Sequence, residues 1–167
     1  PNMVRQYTGE DLTAEDLGGA SQHGRISGVA HFTVPDREAA DELIAELLTF
    51  LPDSLHDLPP RWPCSDPLDR LVPEVGELIP DSPTGSYDVR HVIEGLVDHG
   101  HYLEPRADFA TNLVTAFACL GGQPVGIVAN QPQSVAGTLD IPASQKGGRF
   151  VSFCDAFNLP LITLVDT

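Results

Sequence analysis

The stretch from Gly126 to Asp166, GIVANQPQSVAGTLDIPASQKGGRFVSFCDAFNLPLITLVD, constrains the fold more than any other part of the chain. It reads as a buried strand, a glycine-containing turn, a helix and a second buried strand, the grammar of an α/β fold. The apolar run Leu159 to Val165 carries no internal charge, so it predicts a strand buried on both faces. Ser144 is the expected cap of a helix over roughly 144–157, with Phe150, Val151, Phe153, Cys154 and Phe157 turned inward. In α/β proteins the loop after a strand is where chemistry gathers. The sequence reaches Thr167 at the end of the second apolar run and so reads as cut short where a site would begin.

Upstream, Leu113 to Leu120 and Val125 to Ala129 are two apolar runs joined by Gly121-Gly122-Gln123-Pro124, a hairpin signature. Val89, Val92, Ile93, Leu96 and Val97 share one helical face, ended by Gly100. Ala39, Ala40, Leu43, Ile44, Leu47 and Leu48 predict a second amphipathic helix capped by Asp36. Thr8 with Asp11, and Thr13 with Asp16, have capping-box spacing, and Gly18-Gly19 follows as a stop. Val29 to Val34 is strand-like. Between these patterned regions, Pro52, Pro59, Pro60, Pro63, Pro67, Pro73, Pro80 and Pro83 punctuate residues 51–86. Proline at that density predicts an extended connection without helix or central strand. The chain therefore divides into 1–52, a linker over 53–86, and 87–167, with Trp62 packing against a domain.

A net charge of −15, with Lys146 and eight arginines as the strong cations, argues against a nucleic-acid footprint but leaves room for a local anion site. No apolar run approaches the roughly 20 residues that span a bilayer, so no membrane partner is expected. Cys64, Cys119 and Cys154 form no C-x-x-C pair and read as buried thiols in a reducing cytoplasm. His99-Gly100-His101 has no third ligand at diagnostic spacing and reads as a solvated helix end rather than a metal pair. Gly18-Gly19-Ala20 fits either an anion-facing main chain or a helix stop. Asp140 and Asp155 fit either a base or a cap or ion pair. Gly147-Gly148 suggests close packing or a nearby ligand. What remains is the turn VAGTLDI, residues 135–141, between a strand and a helix. Small residues at Ala136 and Gly137 let a ligand oxygen reach main-chain N–H groups, which stabilise a developing oxyanion. A tight turn without a ligand has the same sequence.

The run TGEDLTAEDLGGASQH, then SGVAHF, resembles the segment near the end of the N-terminal domain of biotin-dependent acyl-CoA carboxyltransferases. VPEVGELIPDSPTGSYDVRHVIEGLVDHGHYLE is similar to their interdomain connection and the first helix of their C-terminal domain. GGQPVGIVANQP and AGTLDIPASQKGGRFVSFCDAFNLPLITLVD resemble the start of that second domain, so the likeness is co-linear over essentially the whole chain. It points to the β subunits of acetyl- or propionyl-CoA carboxylase. The resemblance implies crotonase (ClpP-like) folds in two tandem domains, with parts of both present here. It implies acyl-CoA as substrate, carboxybiotin on a separate carrier, and a biotin carboxylase/biotin carrier (α) subunit as partner. The full-length protein would be a dimer-based homo-oligomer, commonly a hexamer, in the cytoplasm. In such enzymes CO2 leaves carboxybiotin, the freed biotin takes the α-proton of the thioester, and the enolate captures the CO2.

Both Gly-Gly oxyanion segments of the family fall outside this sequence, and Gly147-Gly148 stands where the family usually has Ala-Ala. Ala136-Gly137 resembles the Ala-Gly-x-Asp element of single-domain crotonases, which implies an oxyanion or ligand-lining role there. The expectation is a fragment inactive by itself. A decarboxylase carboxyltransferase and a non-catalytic assembly module of the same fold are the alternatives.

Overall fold

A computed structural model describes residues 1–82 and 85–166. Pro83 in the proline-rich connection, Thr84, and Thr167 at the end of the last apolar run lie outside the described residues. The centre is a four-stranded mixed sheet, ordered β1 (Tyr102–Leu103), β2 (Leu113–Leu120), β3 (Gln123–Asn130) and β4 (Leu161–Leu164). The expected hairpin forms: β2 and β3 pair antiparallel from Leu113↔Asn130 to Leu120↔Gln123. Its two-residue turn needs left-handed backbone at both positions, and Gly121 (φ 57°) and Gly122 (φ 74°) provide it. The turn is held from below by buried Asp98, whose carboxylate accepts from the N–H groups of Gly121 (2.8 Å) and Gly122 (2.7 Å). β3 then pairs parallel with β4, Gly126↔Leu161 through Ala129↔Leu164, across the crossover helix α6 (Ile141–Ala156).

Side-chain alternation along β2 separates two apolar layers. Val114, Ala116 and Ala118 pack with Val89, Ile93 and Val97, the last two turns of apolar face on and just beyond α5 (Val89–Leu96). Phe117 and Cys119 turn the other way, toward Phe150 and Cys154 of α6 and toward Phe50. Phe117 is the hub there, with ring centroids 4.9 Å from Phe150, 5.6 Å from Phe153 and 6.0 Å from Phe50. Each such buried apolar side chain contributes about 1.5–3 kcal/mol. Gly126 on β3 sets how near α6 can come: a Cβ there would lie 2.5 Å from Cys154 Sγ.

Outside the sheet, α1 (Asn2–Thr8), α2 (Ala14–Gly18), α3 (Arg37–Thr49) and α4 (Pro73–Leu78) are the other α-helices among the described residues. Thr13 and Asp16 make the reciprocal capping box expected of them. Thr8 and Asp11 do not: Thr8 ends α1, and its hydroxyl donates to the Val4 carbonyl. Gly19 stops α2 as expected, yet a π turn over Gln22–Ile26 follows. Val29 to Val34 is then irregular rather than a strand, because no strand among the described residues offers its backbone a ladder. Asp36 caps α3 through Ala39 N–H at 3.0 Å, although no residue of that helix is fully buried.

Three further expectations need correction. β4 alternates between exposed and half-buried positions instead of being buried throughout, because it is an edge strand among the described residues. Asp140, not Ser144, caps α6, since its carboxylate accepts from Ala143 N–H at 2.9 Å and Pro142 fits the first turn. That shifts the phase of the helix: Ala143, Lys146, Gly147, Phe150 and Cys154 are buried and Val151 is exposed. Finally, the proline-rich segment does contain a helix, α4, whose Pro73 occupies a first-turn position where no N–H is needed. The segment is also docked. Trp62 donates from its main chain to Gly122 O and from its indole to Thr49 O, both at 2.9 Å. Arg70 donates to the carbonyls of Leu96 (2.9 Å) and Val97 (2.8 Å) at the end of α5.

Two outcomes follow from the hairpin and the crossover. Burial raises the Asp98 carboxyl, but the Gly122 and Gly121 N–H groups, the Cys64 thiol and Arg70 outweigh it and hold it below the usual range. Its stabilisation is therefore full above the ordinary carboxyl pKa, about 4, and fades as pH falls through the lowered value. Asp98→Asn should cost about 1–3 kcal/mol at pH 7 and flatten the acid limb, read by urea denaturation at pH 7 and pH 3. Gly126→Val should cost about 1–3 kcal/mol by forcing α6 off the sheet, with loss of the cooperative thermal transition as the extreme case.

Candidate functional site

β3 leaves the sheet at Asn130 and enters a 3₁₀ turn, Val135–Gly137, before α6 begins. Three successive residues are left-handed there: Val135 (φ 52°), Ala136 (φ 53°) and Gly137 (φ 68°). For a β-branched residue such as Val135 this is an outlier, and strain of this kind persists only where the surroundings enforce it. Gly137 N–H donates to Ser134 O (3.0 Å) and Thr138 N–H to Val135 O (3.1 Å), so both are consumed within the turn. The N–H groups of Val135 and Ala136 have no hydrogen-bond partner among the described residues. Gly137 is needed for its shape as well, because a Cβ there would sit 3.0 Å from Asn130 Nδ2.

Two buried amides do the enforcing. Gln131 donates from Nε2 to Asp88 Oδ1 (2.5 Å) and accepts from Val89 N–H (3.2 Å), which ties the start of the loop to the first turn of α5. Its main-chain N–H donates to Asn112 O at 3.0 Å. Asn112 donates from Nδ2 to Thr138 O (2.7 Å) and Asp140 Oδ1 (3.2 Å), which fixes the other end. The hydroxyls of Thr111 and Ser134 meet at 2.8 Å between them. Asn130 and Asp166 exchange two hydrogen bonds, Nδ2 to Asp166 O (2.7 Å) and Asp166 N–H to Oδ1 (3.0 Å), so the ends of β3 and β4 move as one. The turn thus stands at the carboxyl ends of the two parallel strands, the position where open α/β sheets receive ligands. A shallow hollow of about 450 Å³ lies beside it, touching Asn112, Ser134, Val135 and Asp140.

The other expected candidates are brought elsewhere. Asp140 is a cap whose carboxyl is lowered by Ala143 N–H and then by Asn112, so it is engaged rather than poised as a base. Asp155 is exposed on α6. His99 binds Asp66 through its N–H (2.7 Å) and Nδ1 (3.3 Å), whereas His101 Nε2 meets Glu46 at 2.8 Å, so the two imidazoles serve different acids. No metal-holding cluster of His, Cys, Asp and Glu occurs among the described residues. Burial pushes the Cys154 thiol up to about 12, and burial with Asp98 beside it pushes Cys119 up to about 11, which leaves neither activated as a nucleophile. Gly147 serves close packing, since a Cβ would lie 2.8 Å from Leu113 Cδ2, and Gly148 faces open space.

Sequence reasoning missed Asn112 and Gln131, which look like ordinary polar residues flanking apolar runs. It also missed Lys146, which is 1% exposed. Its Nζ donates to the carbonyls of Arg106 and Phe109, each at 2.9 Å, in a loop where Arg106 and Ala110 are left-handed. Burial lowers its pKa to about 8. The available signal was its spacing: 143, 146, 147, 150 and 154 form one helical stripe once Asp140 is the cap.

The family described as "Carboxyl transferase domain" matches residues 1–167. The chain is 45% identical over 166 residues to the propionyl-CoA carboxylase carboxyltransferase subunit of Haloferax mediterranei, covering 99% of this chain and 32% of that protein. It is 43% identical over 166 residues to methylmalonyl-CoA decarboxylase subunit alpha of Propionigenium modestum, with the same coverage of 99% and 32%. A crystal structure of transcarboxylase 12S, a hexamer with methylmalonyl-coenzyme A and methylmalonic acid bound, superposes with a TM-score of 0.94 at 46% identity, over 99% of this chain and 32% of that one. The chain therefore spans about a third of the length of the relatives it matches. The architecture is the crotonase-like α/β fold of carboxyltransferase domains.

Asn112→Ala leaves the Thr138 carbonyl and the Asp140 carboxylate without their side-chain donor. Amide hydrogen exchange at Gly137 and Thr138 should speed up about tenfold, the equivalent of roughly 1.4 kcal/mol, while exchange in β2 stays as it was.

Proposed function

Residues 1–167 belong to the carboxyl transferase domain family, and from that premise we propose that this chain is part of an acyl-CoA carboxylase carboxyltransferase subunit acting on propionyl-CoA or acetyl-CoA. The single observation that carries the reading is the strained Val135–Gly137 turn at the carboxyl ends of β3 and β4, with two unpartnered N–H groups. Residues 1–52 and 87–167 are read as parts of two related domains, with 53–86 connecting them. Three free cysteines support a reducing, cytoplasmic setting.

Biotin on a separate carrier protein is the cofactor this family implies, and the residues present fit it. A ureido oxygen is an acceptor, and the N–H groups of Val135 and Ala136 are donors on an exposed turn with no protein acceptor among the described residues. Exposed Val135, Leu139 and Ile141 offer apolar surface beside them for a ring and an aliphatic arm. Carboxybiotin, when bound, supplies the carboxyl group. The chain's own residues do the rest by position. Val135 and Ala136 would hold negative charge on an oxygen through fixed main-chain dipoles, and Gly137, where a Cβ would crowd Asn130, keeps the turn in the shape that presents them. Asn112 and Gln131 keep the donors from relaxing. No side chain at the turn needs to take a proton, which accords with the engaged state of Asp140.

A biotin carboxylase/biotin carrier subunit and an acyl-CoA are the proposed partners, with the full-length protein assembling as a dimer-based hexamer. A second reading rests on the decarboxylase relative: the same turn in a biotin-dependent decarboxylase, where a membrane-pump subunit replaces the biotin carboxylase. No helix among the described residues is long and apolar enough to cross a membrane.

In the full-length protein, Gly137→Val should lower kcat for carboxyl transfer about 10²-fold, the cost of a displaced oxyanion donor, with little change in KM for acyl-CoA. An unaltered kcat removes the turn from the site. The 167 residues alone, given a carboxybiotinylated carrier and propionyl-CoA, should form no methylmalonyl-CoA. Product above background would contradict the need for main-chain donors from elsewhere in the protein.

A further inference from the structure

Few cations serve this acidic chain, and most are already neutralised. Among the described residues Arg5, Arg25, Arg37, Arg70 and Arg90 form ion pairs with carboxylates, and Arg61 donates to Gln123. Arg106, Lys146 and Arg149 have no carboxylate within ion-pair distance among the described residues, and the three gather in one place. Lys146 Nζ is bonded to the Arg106 carbonyl. Arg149 lies one turn further along α6 and acts electrostatically on Arg106 and on exposed His31. Arg106 is 8% exposed and is fixed by its Nε donating to Gly28 O (2.7 Å) and its N–H to His31 O (2.6 Å). The nearby acids do not compensate. Both Glu104 oxygens are held by Arg90 at 2.7 and 2.9 Å, and Asp108 faces Arg25 at 3.8 Å.

Two of these cations, Arg106 and Arg149, line an apolar pocket of about 330 Å³ between α3 and α6. Phe117, Phe150 and Phe153 form its wall, while His31, Arg106 and Arg149 supply its polar atoms. The volume is at the lower end of small-molecule pockets, about 300–1,000 Å³, and the pairing of an aromatic interior with a few convergent polar groups is their usual design. Arg149 is exposed, so solvent largely screens its repulsion of Arg106, and its guanidinium makes no ion pair among the described residues. Guanidinium is also the donor best shaped for a carboxylate, which it grips with two parallel N–H bonds. We propose that this pocket binds an amphipathic monocarboxylate, its head held by Arg149 and Arg106 and its short hydrocarbon tail among Phe117, Phe150 and Phe153. The inference goes beyond the carboxyltransferase reading and does not rest on it.

Isothermal titration calorimetry on the full-length protein tests it with three probes. Hexanoate carries both head and tail, hexan-1-ol the tail alone, and inorganic phosphate the charge alone. Hexanoate should bind once per chain and at least tenfold more tightly than either of the others. Arg149→Met, which keeps the apolar stem and removes the charge at an exposed position, should weaken hexanoate at least tenfold and leave the melting temperature of the unliganded protein unchanged. Phe153→Ala should weaken hexanoate without creating affinity for phosphate. Absence of hexanoate binding, equal binding by Arg149→Met, or hexan-1-ol as tight as hexanoate would each overturn the proposal. So would a lower melting temperature for unliganded Arg149→Met, because the counter-charge would then be a carboxylate of the protein itself.

Discussion

The close seat of α6 on Gly126 is the contact on which the rest of the structure depends. A crossover helix can return the chain parallel to β3 only if it lies flat against the sheet, and any side chain at Gly126 would meet Cys154, Leu161 and Phe150. With that space left open, β4 falls in register beside β3, Gly126 opposite Leu161, and the aromatic group around Phe117 closes behind it. The same seat sets the direction of the loop before α6. Asp140 must cap the helix where it meets the sheet, so the nine residues between Asn130 and Asp140 have to turn back sharply. The left-handed run at Val135–Gly137 is how they do so.

Much of this was legible in the residues, and the misreadings share a cause. The hairpin was readable because Gly121-Gly122 answers a local demand for positive φ, and α5 because its apolar residues recur at one period over two turns. The turn at Ala136 was readable because small residues sat between a strand and a helix. What failed were inferences that depend on partners distant in sequence. Leu159 to Val165 has the composition of a buried strand, but burial is decided by what lies beside and above it, and here β4 has a neighbour on one side. Val29 to Val34 has strand composition and no strand to pair with among the described residues. Ser144 and Asp140 both precede the phenylalanines of α6, and Asn112, 28 residues before Asp140, orients the Asp140 carboxylate that forms the cap. Asn112 and Gln131 have no local signature, and the helical spacing of Lys146 shows only once Asp140 is known to be the cap, since each of the three satisfies backbone groups on a different segment.

Lys146 also separates two kinds of buried polarity in this fold. Its ammonium group has three donors and finds carbonyls of one loop, so its role is to hold that loop against α6 despite the lowered pKa. Asp98 does the equivalent for the hairpin with opposite charge, accepting where Lys146 donates. Both are placed where the chain turns with positive φ, at Gly121-Gly122 and at Arg106 and Ala110. Buried charge here serves bends whose backbone groups cannot reach a ladder partner, which is a different task from the unpaired guanidinium groups of Arg106 and Arg149.

The strained turn can be weighed against what holds it. Val135 and Ala136, both left-handed without being glycine, cost about 1–3 kcal/mol each. The bonds made by Gln131, Asn112, Thr111 and Ser134 around the loop contribute about 0.5–1.5 kcal/mol apiece net. The two totals are of the same order, so the clamp is sufficient to keep the turn in place but leaves little excess. The surrounding amides hold Val135 and Ala136 in an exposed turn whose two N–H groups bond to no protein acceptor among the described residues, so the clamp and not a partner of their own fixes their direction.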